Sequence, residues 1–173
     1  MSKVTPIKRG RPAPDLDTPT DLDDKAVREI SKALNGILAD SFALYLKTKN
    51  FHWHVSGPHF RDYHLLMDDQ AAQIYGITDA IAERVRKTGN VTLRSIGDIG
   101  RRQTIRDNDQ DFVSAADMLA ELRDDNLKLV EGFRKVKELA EQAKDNATSG
   151  IVDEWTDQAE ERAWFLFETS RKA

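Results

Sequence analysis

The chain has 173 residues, 39% of them apolar and 32% charged, with a formal net charge of −4 and no cysteine. That length suits one domain with a sizeable core, and the lack of thiols excludes disulfides and thiolate metal sites, so a tightly held metal would need nitrogen and oxygen ligands. The acidic balance argues against a protein that coats nucleic acid over its whole surface, no apolar run approaches the ~20 residues that span a membrane, and the basic N-terminus lacks the apolar stretch of a signal peptide, which makes the cytoplasm the expected location.

Four of the five prolines, Pro6, Pro12, Pro14 and Pro19, fall in the first nineteen residues. Lys3, Lys8, Arg9 and Arg11 accompany them, with no acid before Asp15. Residues 1–20 offer little from which to build a core and read as a disordered basic tail. The pattern turns helical from about Asp21. Val27, Ile30, Leu34, Ile37, Leu38, Leu44 and Tyr45 recur at helix spacing, and the run continues to about Val55. Gly57-Pro58 breaks it, and the pattern predicts a second helix over 58–87, stopped by Gly89-Asn90. The stretch 91–109, with Gly97 and Gly100, is less regular and predicts a short helix around Arg94 to Gln103. A third long helix is predicted over 111–143, with Phe112, Met118, Leu119, Leu122, Leu129, Phe133 and Val136 on its apolar face. Residues 144–150 read as a turn. A fourth helix then carries Ile151, Val152, Trp155, Ala159, Ala163, Leu166 and Phe167.

Residues 21–173 are therefore expected to form one all-α unit. Tight turns join helices one and two and helices three and four. A long crossover with a short helix joins two to three. In a four-helix bundle, one long crossover sets helices two and three parallel, the ferritin-like topology.

All four histidines, His52, His54, His59 and His64, lie within thirteen residues of one another. His64 and Asp68 are four apart on the predicted second helix and share a face, as do Asp79 and Glu83 farther along it. Asp68 and Asp79 are separated by eleven residues, close to three turns, so all these side chains look roughly the same way. A solvated polar stripe would produce the same pattern. If the residues are ligands, geometry constrains them: at about 1.5 Å per residue, Asp68 and Asp79 lie roughly 16 Å apart along the helix. One ion, with ligands at about 2.0–2.2 Å, cannot be gripped by both. Either there are two half-sites, or two antiparallel copies of the helix meet at a two-fold axis. A mixed imidazole and carboxylate site suits iron, and zinc or manganese less selectively.

The stretch TKNFHWHVSGPHFRDYHLLMDD, followed by ITDAIAERVRKTG, resembles the Dps-type mini-ferritins (DNA-binding proteins from starved cells). The similarity runs from about Asp24 to the C-terminus, through helix order, turn positions and the final WFLFE stretch. Its most specific part is the ordered set His52, His64, Asp68, Asp79 and Glu83. The resemblance implies a dodecameric shell with an inter-subunit ferroxidase site at each two-fold contact. His52, His64 and Asp68 would come from one subunit, Asp79 and Glu83 from its neighbour. It implies ferrous iron as the substrate, hydrogen peroxide or oxygen as the oxidant, and a ferric mineral held inside the shell. DNA would be spared oxidative damage. The chain lacks the Glu-x-x-His motif of in-bundle di-iron proteins, which argues against the larger ferritins.

Trp53 also matches the family and is expected to pack near the site. His54 departs from the asparagine often found there. Glu141 and Asp145 match pore acids of some members, whereas Gly150 stands where others carry an aspartate. In the tail, Lys8, Arg9 and Arg11 lie in an Arg-Gly-Arg-Pro context that resembles an AT-hook, an extended segment placing arginines in a narrow minor groove. Twelve such tails on one shell would bind DNA with avidity. A flexible solubilising extension is the alternative, and a DNA-compacting shell with a secondary metal site is the alternative function.

Overall fold

The computed structural model of the chain describes residues 16–171, and among these there are helices and loops but no strand. Six helices follow in order: α1 (Asp24–His54), α2 (Phe60–Gly76), α3 (Thr78–Lys87), α4 (Ile96–Arg102), α5 (Ala115–Gln142) and α6 (Asn146–Ser170). With α2 and α3 taken as one rod, this is the expected all-α, ferritin-like four-helix bundle with a short helix in the crossover. No described helix is long and apolar enough to cross a membrane.

Side-chain caps set the helix starts. The Asp23 carboxylate accepts from the amides of Lys25 and Ala26, both at 3.0 Å, satisfying donors that a helix N-terminus leaves free. Ser114 caps α5 through Asp117 N, and its hydroxyl donates to the Asp117 carboxylate at 2.6 Å. This cap delays α5 by four residues against the predicted start. Phe112 consequently lies outside the helix, 75% exposed, instead of on its apolar face. Phe167 is likewise exposed on α6.

Two ends close in the same way. Gly89 at φ 79° ends α3, with Asn90 N reaching back to Val85 O at 3.2 Å. Lys144 at φ 58° ends α5, with Asp145 N reaching Ala140 O at 2.8 Å. Both are left-handed closures that satisfy the last carbonyls. The second compresses the predicted 144–150 turn, because Asp145 already caps α6. A glycine marks the first; the sequence gives no such signal at Lys144.

The predicted second helix is divided. Ile77 keeps right-handed helical angles (φ −85°, ψ −13°), and Ile81 N still bonds to its carbonyl at 3.1 Å. The Thr78 hydroxyl, however, donates to Tyr75 O at 2.7 Å. Gly76 and this back-bonding threonine interrupt the ladder. Asp68 thus stands on α2, and Asp79 and Glu83 on α3.

The core fills the space between the long helices with Leu34, Leu38, Leu44 and Phe51 of α1, Met67 and Ile74 of α2, Ile81 and Val85 of α3, Leu122, Leu129 and Phe133 of α5, and Val152 and Leu166 of α6. Each such side chain contributes about 1.5–3 kcal/mol on burial. The crossover is pinned to α1 by polar groups. Asn35 Nδ2 donates to Val91 O at 3.0 Å, and Asn50 Nδ2 to Asn108 O at 3.1 Å. The Asp40 carboxylate accepts from Thr104 Oγ1 and Ile105 N, both at 2.9 Å. At the other end of the chain's path, Arg86 Nη2 donates to Leu16 O at 2.8 Å and Gly89 packs on Thr18, where a Cβ would lie 2.8 Å from the carbonyl oxygen. Residues 16–18, assigned by sequence to the tail, therefore already touch the bundle.

Candidate metal centre

The end of α1 and the start of α2 face each other across the turn at 55–59, and this brings two histidines together. His52 is 7% exposed, although its neighbours Trp53 and His54 face solvent. Its Nδ1 lies 2.8 Å from the carbonyl oxygen of His64. The Nδ1 of His64 in turn lies 2.9 Å from the carbonyl oxygen of His52. A carbonyl only accepts, so each Nδ1 must carry the proton. The neutral form of each ring would then have its lone pair on Nε2, the state in which imidazole binds a metal. The rings stack with centroids 3.7 Å apart and an interplanar angle of 22°. Phe60 covers His64 on one side, at 5.1 Å between ring centroids.

Asp68 lies one turn beyond His64 on α2. Its Oδ1 lies 3.9 Å from His52 Nε2 and 2.6 Å from Lys49 Nζ. The hydrogen bond from Lys49, together with its charge, holds the Asp68 carboxyl below the usual carboxylate range. The oxygen is thus ionised and positioned, but a lysine already occupies it. Lys49 is a neighbour of this candidate group that the sequence pattern did not single out. Its position one turn before His52 on the same helix was the available signal.

Asp79 and Glu83 stand apart from this group. Both are exposed on α3, and Glu83 Oε2 pairs with Lys87 Nζ at 3.1 Å across one turn. Among the described residues, no group of three or more His, Cys, Asp or Glu side chains could hold a metal ion within this one chain. The candidate residues fall into two separate halves, His52, His64 and Asp68 in one and Asp79 and Glu83 in the other.

The remaining candidates fall outside these halves. Trp53 is 59% exposed, with Lys49 Nζ 5.9 Å from its ring centroid. His54 is exposed, and its Nδ1 bonds back to Asn50 O at 2.8 Å. His59 precedes α2 without capping it. Glu141 is exposed and 3.4 Å from Lys137. Asp145 is 3% exposed, and its carboxylate is engaged: Oδ1 accepts from Arg84 Nη2 at 2.6 Å and Thr148 N at 3.0 Å, and Oδ2 from the Thr148 hydroxyl. Burial pushes the Asp145 carboxyl up, but the Arg84 and Thr148 bonds outweigh it and leave it below its ordinary value. Lys8, Arg9 and Arg11 lie outside the described residues.

Comparison with known proteins matches residues 31–172 to the ferritin-like domain model. The chain is 34% identical over 146 residues to the "uncharacterized low temperature-induced protein" of a Nostoc species, covering 84% of this chain and 82% of that one. It is 30% identical over 142 residues to the DNA protection during starvation protein of Halobacterium salinarum, covering 82% and 78%. The crystal structure of the archaeal Dps homologue from Halobacterium salinarum superposes with a TM-score of 0.83 at 26% identity, covering 96% of this chain and 94% of that one.

Proposed function

This chain belongs to the ferritin-like family as a Dps-type mini-ferritin, and from that premise we propose that it is the subunit of a dodecameric ferroxidase cage. The family supports an iron-related protective role. Ferrous iron is the substrate. His52, His64 and Asp68 of one subunit bind it together with Asp79 and Glu83 of a second copy at a two-fold contact. The observation that carries the reading is the reciprocal histidine pair, which turns both Nε2 atoms away from the backbone beside an ionised Asp68, while the described residues of one chain complete no metal site.

The donor set fits the substrate. Neutral imidazoles bind ferrous iron, and carboxylates stabilise the ferric charge that develops on oxidation. Two ferrous ions each give up one electron. One hydrogen peroxide accepts both, its O–O bond breaks, and the oxygens leave as water or enter ferric oxyhydroxide with release of protons. Oxygen is the alternative oxidant, and zinc or manganese are alternative occupants of the site. Lys49 must leave Asp68 when a metal cation arrives, since both seek the same oxygen.

Iron would reach the interior through pores lined by the region before α6. With Asp145 engaged by Arg84, Glu141 is the better candidate for a pore acid, and Asp145 would support the pore wall. Cytoplasmic residence follows from the same reading, with nucleoid association if the Lys8, Arg9 and Arg11 tail binds DNA. A DNA-compacting shell with a secondary metal site is the second reading, favoured by that basic tail.

Particle sizing tests the assembly, and anaerobic loading with ferrous iron followed by peroxide tests the chemistry. The expected result is a particle of twelve subunits that consumes about two ferrous ions per peroxide. A monomer or simple dimer that leaves added peroxide untouched would overturn the proposal.

A further inference from the structure

The middle of the bundle carries a polar layer that the metal chemistry does not use. Arg162 of α6 is 1% exposed and heads the fully buried side chains by volume. Its Nε donates to Asn126 Oδ1 of α5 at 2.8 Å, and its backbone carbonyl accepts from Gln70 Nε2 of α2 at 3.2 Å. Asn126 and Gln70 are themselves buried. Arg162 of α6 is thus tied to α5 through its guanidinium and to α2 through its backbone.

That guanidinium is not neutralised. Nη1 and Nη2 have no hydrogen-bond partner among the described residues, and neither does Gln70 Oε1. Glu161, the acid whose field reaches Arg162, is the preceding residue on α6 and is exposed. Burial lowers the Arg162 pKa to about 10, so the group stays charged at neutral pH. The same fold treats its other buried cation differently. Lys47 Nζ holds Glu121 Oε1 and Asp125 Oδ2, both at 2.7 Å. A buried charge left without a counter-charge is strongly disfavoured, and unfilled buried donors call for water or an ion.

The geometry points to a buried anion site: the two Nη groups of Arg162 hold a small inorganic monoanion inside the bundle, between α2, α5 and α6. Water alone would fill the N–H groups but leave the positive charge. A monoanion does both, and one accompanying water donates to Gln70 Oε1. A single positive charge is matched by one monovalent anion, and a divalent anion would leave a net negative charge buried. The layer also has the wrong sign for a metal cation. This inference does not depend on ferroxidase activity.

Bromide is the probe. Crystals of the assembled wild-type protein grown in sodium bromide are expected to show an anomalous peak within hydrogen-bond reach of Arg162 Nη1 or Nη2. In solution, the unfolding temperature is expected to rise with bromide at constant ionic strength set with gluconate, as for any ligand that binds only the folded state. In Arg162→Met, which removes the charge but keeps an unbranched side chain, that rise is expected to vanish. Should that variant fail to fold, the wild-type crystal still decides. Ordered water alone at Nη1 and Nη2, with no anomalous signal, overturns the proposal.

Discussion

His52 and His64 exchange hydrogen bonds, each donating its Nδ1–H to the other's backbone carbonyl, at 2.8 and 2.9 Å. The exchange ties the last turn of α1 to the first turns of α2 and fixes both tautomers at once. Partners of this kind typically change metal affinity by about 10–100-fold when lost. Losing a ring costs both a ligand and its neighbour's orientation.

His64→Ala removes one Nε2 and frees the ring of His52. We expect ferrous affinity and initial oxidation rate to fall by at least about tenfold, with helical content unchanged. Anaerobic ferrous titration and stopped-flow absorbance measure both. A rate equal to wild type would remove His64 from the site.

The two-half arrangement has a sharper consequence. Asp79→Ala combined with Glu83→Ala should abolish fast oxidation, as should His64→Ala alone. When the two inactive proteins are dissociated, mixed in equal amounts and reassembled, half of the dimers pair one of each. Each such dimer rebuilds one intact site of its two. Roughly a quarter of wild-type activity should return if sites lie between subunits at a two-fold axis. No recovery in particles shown to contain both chains would place the site within one chain.

Asp145 predicts acid sensitivity with a definite sign. Its folded carboxyl lies below the ordinary 3.8, despite burial, because of Arg84 and Thr148. Its stabilisation is therefore present above pH ~4, the free aspartate value, and is lost as pH falls through the lowered folded value. Arg84→Met leaves a buried carboxylate unpaired, with an expected cost of about 3–5 kcal/mol at neutral pH. Because ionised Asp145 is then disfavoured, Arg84→Met should be least impaired relative to wild type in acid. Chemical denaturation at pH 7 and pH 4 tests this; an equal loss at both would show that Asp145 ionisation is not the cause.

Deleting residues 1–14 removes Lys8, Arg9 and Arg11. We expect a DNA gel shift to disappear and ferroxidation to continue at the wild-type rate. Binding by the intact protein should weaken steeply with salt, as counterion release requires. A gel shift unaltered by the deletion at matched salt would move DNA binding elsewhere on the shell.

Much of this molecule was legible before any coordinates. The 3.6-residue recurrence of Val27, Ile30, Leu34 and Leu38, and of Leu122, Leu129 and Phe133, gave the long helices, because their apolar faces must be buried together. The length of the segment between α3 and α5 gave the topology. Helix spacing paired His64 with Asp68 and Asp79 with Glu83, and the resemblance to Dps-type mini-ferritins added His52 to the candidate ligands. The spacing also showed, from helix rise alone, that they could not all serve one ion in one chain.

Other features depended on contacts between residues distant in sequence. No periodicity announces that Lys49 sits on Asp68, that Asp145 is held by Arg84, or that Asp40 fastens Thr104 and Ile105. The α5 start moved to Ala115 because a serine hydroxyl met an amide, and the α5 end closed at a lysine with positive φ. Sequence pattern reports which faces are apolar, since hydrophobic burial is non-directional and scales with area. Hydrogen bonds and ion pairs are directional and short in range. Which ring nitrogen carries the proton in His52, and which buried cation is left without a counter-charge, were decided only when α1, α2, α5 and α6 came together.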